Sequence, residues 1–143
     1  DYYNLGFSGS ARGEIAMADY INTIDMSVFV FDYDHNAPTI EHLQRTHEPF
    51  FRRIRERHPL LPVVMLSRPG FDFDPDAAQR RSVVRATYEH ALAAGDKNVY
   101  FIDGQTLFGD DDRAACTNDC THPNDLGMYR MAKVIAPVIE GVL

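Results

Sequence analysis

Asp119 and His122 stand three residues apart in the stretch Asn118-Asp119-Cys120-Thr121-His122-Pro123-Asn124-Asp125-Leu126-Gly127. A helical pattern begins directly after them. At this spacing one turn of chain can bring the carboxylate onto Nδ1 of the imidazole. A carboxylate so placed fixes the tautomer and stabilises the imidazolium formed when the ring takes a proton. Nε2 is then free to act as a general base on a hydroxyl nucleophile. Asp and His are also ordinary loop and cap residues, so the pair carries chemistry only if the rest of the chain positions it and supplies the other groups.

The composition sets the frame. A chain of 143 residues, with 45% hydrophobic and 24% charged residues, fits one globular domain with a sizeable core. A net charge of −7 argues against nucleic acid as the main partner, since phosphate binding needs a basic surface. The basic cluster Arg52-Arg53-Ile54-Arg55-Glu56-Arg57 falls within a helical pattern and reads as a solvated face. No apolar run approaches the length of a membrane span. The first residues, Asp1-Tyr2-Tyr3-Asn4-Leu5, have neither the basic start nor the apolar core of a signal peptide. Cys116 and Cys120 could close a small disulfide, which belongs to an oxidising compartment. Two free thiols are the equal alternative, so secretion and the cytoplasm both stay open. Four ligands at zinc spacing are not visible, and no metal site is expected.

The elements that must position the pair alternate. Tyr2, Tyr3 and Leu5 suggest a short strand, running into the small-residue turn Gly6-Phe7-Ser8-Gly9-Ser10-Ala11-Arg12-Gly13. Its glycine spacing is neither a dinucleotide fingerprint nor a P-loop. The turn is either a plain connection or one whose amide points into a site. Residues 14–24 read as a helix. Residues 26–31, Met-Ser-Val-Phe-Val-Phe, read as a strand buried on both faces. Asn36 follows in Asp32-Tyr33-Asp34-His35-Asn36-Ala37-Pro38 and is a candidate hydrogen-bond donor to substrate or a turn former. A helix is expected over 39–58, kinked at Pro49, with His47 as a core-edge residue. Strands are expected over 61–66 and 98–103, and helices over 76–94 and 124–142, the last bent at Pro137. Phe71 and Phe73, in the loop opened by Ser67, could line a substrate pocket or fold back onto the core. The acidic loop Gly109-Asp110-Asp111-Asp112-Arg113 matches no calcium spacing. This pattern predicts an α/β fold, a three-layer α/β/α sandwich on a parallel sheet with right-handed crossovers. The Gly9 turn, Asn36, the Ser67 loop and His122 then converge on one sheet edge.

Three blocks carry a specific resemblance. Asn4-Leu5-Gly6-Phe7-Ser8-Gly9 looks like the second block of the SGNH (GDSL-type) esterases and lipases. Residues 32–36 resemble the Asn block, reading Asp-Tyr-Asp-His-Asn in place of the common Gly-x-Asn-Asp. Asp119-Cys120-Thr121-His122-Pro123 matches the terminal Asp-x-x-His block. The blocks stand in family order over nearly the whole chain, and Gly13-Glu14 brings it closest to a bacterial branch of GDSL-like hydrolases. The resemblance implies a flavodoxin-like SGNH fold and ester hydrolysis through a Ser-His-Asp acyl-enzyme, with no cofactor. It implies His122 as base and then acid, Asp119 as its orienter, and the Gly9 amide and Asn36 side chain as oxyanion donors.

The family's first block, a strand followed by the nucleophilic Ser, has no counterpart in residues 1–143. Ser8 and Ser10 lie in the second block and match no nucleophile position. The expectation is a hydrolase domain over 1–143, incomplete at its N-terminus, with the Ser and its strand supplied by an upstream segment. The expected partner is a small-molecule ester, such as an acylated sugar. Acyl transfer to an alcohol and a non-catalytic ligand-binding domain are the alternatives.

Overall fold

The computed structural model describes residues 1–143, apart from the side chain of Phe71. Its helices and strands run α1 (Ile15–Ile21), β1 (Phe29–Phe31), α2 (Ile40–Arg57), β2 (Val63–Leu66), α3 (Ala77–Ala93), β3 (Val99–Ile102) and α4 (Asp125–Glu140). The strands are parallel in the order β1-β2-β3, with Val63 beside both Phe29 and Val99. Every residue of β2 is buried. A continuous Val-Val-Met-Leu run requires cover on both faces, and the helices divide accordingly. Val63 and Met65 meet Ala18 and Ile21 of α1, Leu43, Phe50 and Ile54 of α2, and Val84 of α3. Val64 and Leu66 meet Ile102, Leu107 and the half-buried Met131, Val134, Ile135 and Val138 of α4. The chain is thus the three-layer α/β/α sandwich that its alternating pattern predicts.

The differences from expectation have local causes. Tyr2–Leu5 form no strand, and Tyr2 and Tyr3 are exposed. A strand exists only as half of a pair, and this segment pairs with none of the described residues. β1 and β2 also start late, at Phe29 rather than Met26 and at Val63 rather than Leu61. Phe29 N–H donates to Pro62 O at 2.9 Å, but Pro62 has no N–H to return, so the ladder cannot extend past it. The long helix α2 is capped by Thr39, whose side chain accepts from His42 N–H, and it continues through Pro49. No helix among the described residues is long and apolar enough to cross a membrane.

His47 is a core residue rather than a core-edge one. It is 1% exposed, stacks on Phe31 and Tyr33, and shares a 2.8 Å hydrogen bond between Nδ1 and Thr87 Oγ1. Burial pushes its pKa down to about 3, against a small opposing pull from Glu48. The unfolded chain takes up that proton near pH 6.5. Between these values the unfolded state binds more protons, so stability falls as pH drops below about 6.5. The contribution is complete above that pH and decreases by up to about 1.4 kcal/mol per pH unit towards pH 3. Replacing His47 with Phe should flatten the pH dependence of urea unfolding of the full-length protein between pH 6 and pH 4. Parallel curves for the two proteins would exclude His47 as the source.

Candidate active site

The three strands of a parallel sheet end on one side, so the loops at 32–39, 67–76 and 103–124 gather there. The last of these carries Asp119 and His122. Its ends are stitched: Thr117 and Pro123 form an isolated antiparallel bridge, and Asn124 N–H donates to Cys116 O at 2.9 Å. Asn124 also donates from Nδ2 to Ala115 O at 2.8 Å while its Oδ1 accepts from Gly127 N–H at 3.1 Å, capping α4. Gly127 lets the helix start approach the loop; a Cβ there would lie 2.3 Å from Cys116 O.

Within this closed loop the Asp119 carboxylate accepts three hydrogen bonds. Oδ1 takes the backbone N–H of His122 at 2.7 Å and of Thr121 at 2.9 Å. Oδ2 takes Nδ1–H of His122 at 2.5 Å. The bond from His122 and these two amides hold the Asp119 pKa well below the usual carboxylate range. Because a carboxylate only accepts, Nδ1 carries the proton and Nε2 presents a lone pair. Among the described residues Nε2 has no hydrogen-bond partner, and the His122 side chain is 82% exposed. Asp119 is therefore built to orient His122 and to stabilise its protonated form.

Asn36 ends the short 3-10 turn Asp34–Asn36 that follows β1. Its backbone N–H donates to Tyr33 O at 2.9 Å, whereas its half-exposed side-chain amide has no protein partner among the described residues. His35 places this turn near the His122 loop. Its pKa is lowered by partial burial first, then by the Arg68 guanidinium, with Arg80 and His122 adding smaller charges. The loop after β2 closes in from the other side: a Cβ on Gly70 would lie 3.8 Å from Cys120 O, and Arg113 pairs with Asp72 at 2.8 Å.

The structure does not join all the sequence-chosen residues. Gly9 has φ +80 and open space around it, in an exposed turn with no hydrogen bond to Asn36 or His122. Its segment is anchored further on, where His42 Nε2–H donates to Arg12 O at 2.8 Å. Gly13, at φ +73, lies so close to Tyr33 that a Cβ would be 2.6 Å from its hydroxyl oxygen. Ser8 and Ser10 are exposed and make no bond to His122. Phe73 is part-exposed, and the side chain of Phe71 lies outside the described residues. Both cysteines are free thiols, Cys116 buried and Cys120 exposed.

Sequence reasoning missed a buried polar group behind the turn. Asp34 is 1% exposed and accepts Arg68 N–H at 3.1 Å; Arg68 in turn pairs with Asp74. Burial pushes the Asp34 carboxyl up to about 6, partly offset by backbone N–H bonds and by the Arg68 and Arg80 guanidiniums. An acid directly before a histidine in a polar turn looks solvated, so only the fold reveals its burial. A groove of about 690 Å³ lies elsewhere, between α2 and the end of α3, lined by Phe51, Leu60 and His90 among others, and contains none of the site residues.

The GDSL-like lipase/acylhydrolase family profile matches residues 1–140. The chain belongs to this family. Its fold is similar to a protein described as a GDSL-like lipase from Bacteroides ovatus, at a TM-score of 0.82 and 29% identity over 97% of this chain and 42% of the other. A salicylyl-acyltransferase from a tetracycline biosynthetic pathway shares the fold at a TM-score of 0.72 and 23% identity, over 92% of this chain and 42% of that one. The GDSL-like chain thus spans less than half the length of either structure. No curated protein matches it in sequence.

The stitched loop yields a prediction for the full-length protein. Gly127→Ala should cost about 1–3 kcal/mol, the usual scale for overpacking. The change should also displace the loop holding Asp119 and His122, which must move to admit the methyl group. Denaturant unfolding and the NMR shifts of the His122 ring would check both; an unperturbed protein would show that the Cys116–Gly127 contact is dispensable.

Proposed function

We propose that this chain is the larger part of a carboxylic-ester hydrolase domain that works through an acyl-enzyme. The carrying observation is the oriented imidazole: Nδ1 is tied to Asp119 at 2.5 Å and Nε2 is free on the same sheet edge as the unpartnered Asn36 amide. His122 takes the proton from a serine hydroxyl as it attacks the ester carbonyl, then returns it to the leaving alcohol. A water activated by the same nitrogen releases the acid. Asp119 holds the ring and stabilises its charge. The Asn36 amide donates to the oxyanion of the tetrahedral intermediate, the role that fits a donor with no protein acceptor; the family resemblance gives the Gly9 backbone N–H the same role, which requires its exposed turn to close on the site. The substrate class is acylated sugars or other small esters. An alcohol in place of water would make the product of acyl transfer.

The serine comes from a segment upstream of Asp1, on a strand that pairs with β1. The sheet supports this: among the described residues β1 is hydrogen-bonded only to β2, and Val30 on it is 39% exposed. An added strand would satisfy the free N–H and C=O groups of that edge and cover Val30.

The test is hydrolysis of a short-chain aryl ester by the full-length protein. His122→Ala should abolish most turnover, and Asn36→Ala should lower kcat on the order of 10²-fold or more. Unchanged turnover in Asn36→Ala would remove that residue from the mechanism. Residues 1–143 expressed alone should neither hydrolyse the ester nor unfold cooperatively. A fragment that did both would return the nucleophile to Ser8 or Ser10.

A further inference from the structure

Arg80 projects from the first turns of α3 and is 7% exposed. Among the described residues no carboxylate lies within ion-pair distance of it. A buried guanidinium is costly to desolvate and is ordinarily paired with an acid at close range. Here Nη1 instead donates to two backbone carbonyls, Asp34 O at 2.7 Å and Ala37 O at 2.8 Å. These carbonyls bracket Asn36 in the chain. The backbone on both sides of Asn36 is thereby pinned from α3, and its own N–H is pinned to Tyr33. A second tie, from the Asp34 carboxylate to Arg68 N–H, fixes the same turn to the loop after β2. The Asn36 side-chain amide is left without a hydrogen-bond partner among the described residues.

We propose that Arg80 is a positioning residue that holds the Asn36 amide ready for the oxyanion; this rests on the reading of Asn36 as an oxyanion donor. A donor helps a transition state only if its placement is fixed beforehand, since reorganisation during the reaction would consume the gain. A misplacement of about 1 Å at such a position can cost on the order of 10²-fold in rate. α3 is a suitable anchor. It packs on α2, β2 and β3, so it refers the turn to the sheet rather than to another loop. Arg80 does not touch substrate in this role and acts only through the turn. A purely structural Arg80 would change stability and leave the chemical step alone.

The experiment uses the full-length protein and a short-chain aryl ester. Arg80→Met keeps the stem and removes the donors. It should lower kcat about 10- to 100-fold, with KM changed less than about threefold, because the lost interaction belongs to the transition state. Arg80→Lys retains one charged donor group and should recover part of the loss. The double variant Asn36→Ala/Arg80→Met should be no slower than Asn36→Ala alone, since the two act as one unit. Unchanged kcat in Arg80→Met, or losses that multiply in the double variant, would overturn the proposal while leaving Asn36 in place. Wild-type kcat in Asn36→Ala would overturn the oxyanion reading itself and this inference with it. If Arg80→Met does not fold, judged by circular dichroism, Arg80→Lys takes its place in the cycle. The same non-additive, kcat-confined loss is then expected, and unchanged or multiplicative kcat decides against it.

Discussion

The burial of β2 on both faces is the constraint from which the rest of the molecule follows. Four successive apolar residues cannot alternate between core and solvent, so each face of the sheet needs its own helical layer. Parallel neighbours joined by helices satisfy that requirement, and they send every strand-end loop to the same side. The dyad loop, the Asn36 turn and the loop after β2 meet because of this, although 31 to 86 residues separate them along the chain. No local feature of any loop would have brought them together.

Rigidity at this edge comes from backbone groups more than from side-chain pairs. The Asp119 carboxylate is held by two amides of its own turn. The Asn36 turn is held by carbonyls, and the dyad loop is closed by Asn124 on Cys116. Hydrogen bonds to charged groups are stronger than those between neutral ones, and here they lie on and beside Asp119 and Asn36. His122 and the Asn36 amide themselves keep free valences towards solvent. The edge therefore combines fixed frames with unsatisfied tips.

The fold was largely legible because hydrophobic period and length separate buried strands from amphipathic helices with little ambiguity. Misread spans trace to pairing, which is a property of two segments. Tyr2–Leu5 has strand composition without a partner, and Met26–Val28 lies opposite the point where Pro62 stops the ladder. The Asp119–His122 contact could be anticipated because it is local, three residues within one turn. The roles of Asp34, Arg68 and Arg80 could not. Arg80 and Arg81 are adjacent in a helix and read alike; only packing turns Arg80 towards Asp34 O and Ala37 O, and Arg81 towards Asp103. From the sequence His47 reads as a core-edge residue, because its companions Phe31, Tyr33 and Thr87 arrive from other elements.

The two thiols, left open as a bridge or as free groups, have sharply different surroundings. Cys116 is fully buried beneath the dyad loop, while Cys120 is exposed at its tip. Cys120 occupies a left-handed turn position, φ 64, between the two members of the dyad in the chain. Within these residues a maleimide dye would therefore attach at one place, without any cysteine having first to be engineered away. Its emission would report the local motion of the segment that carries Asp119 and His122, so the loop could be followed in solution.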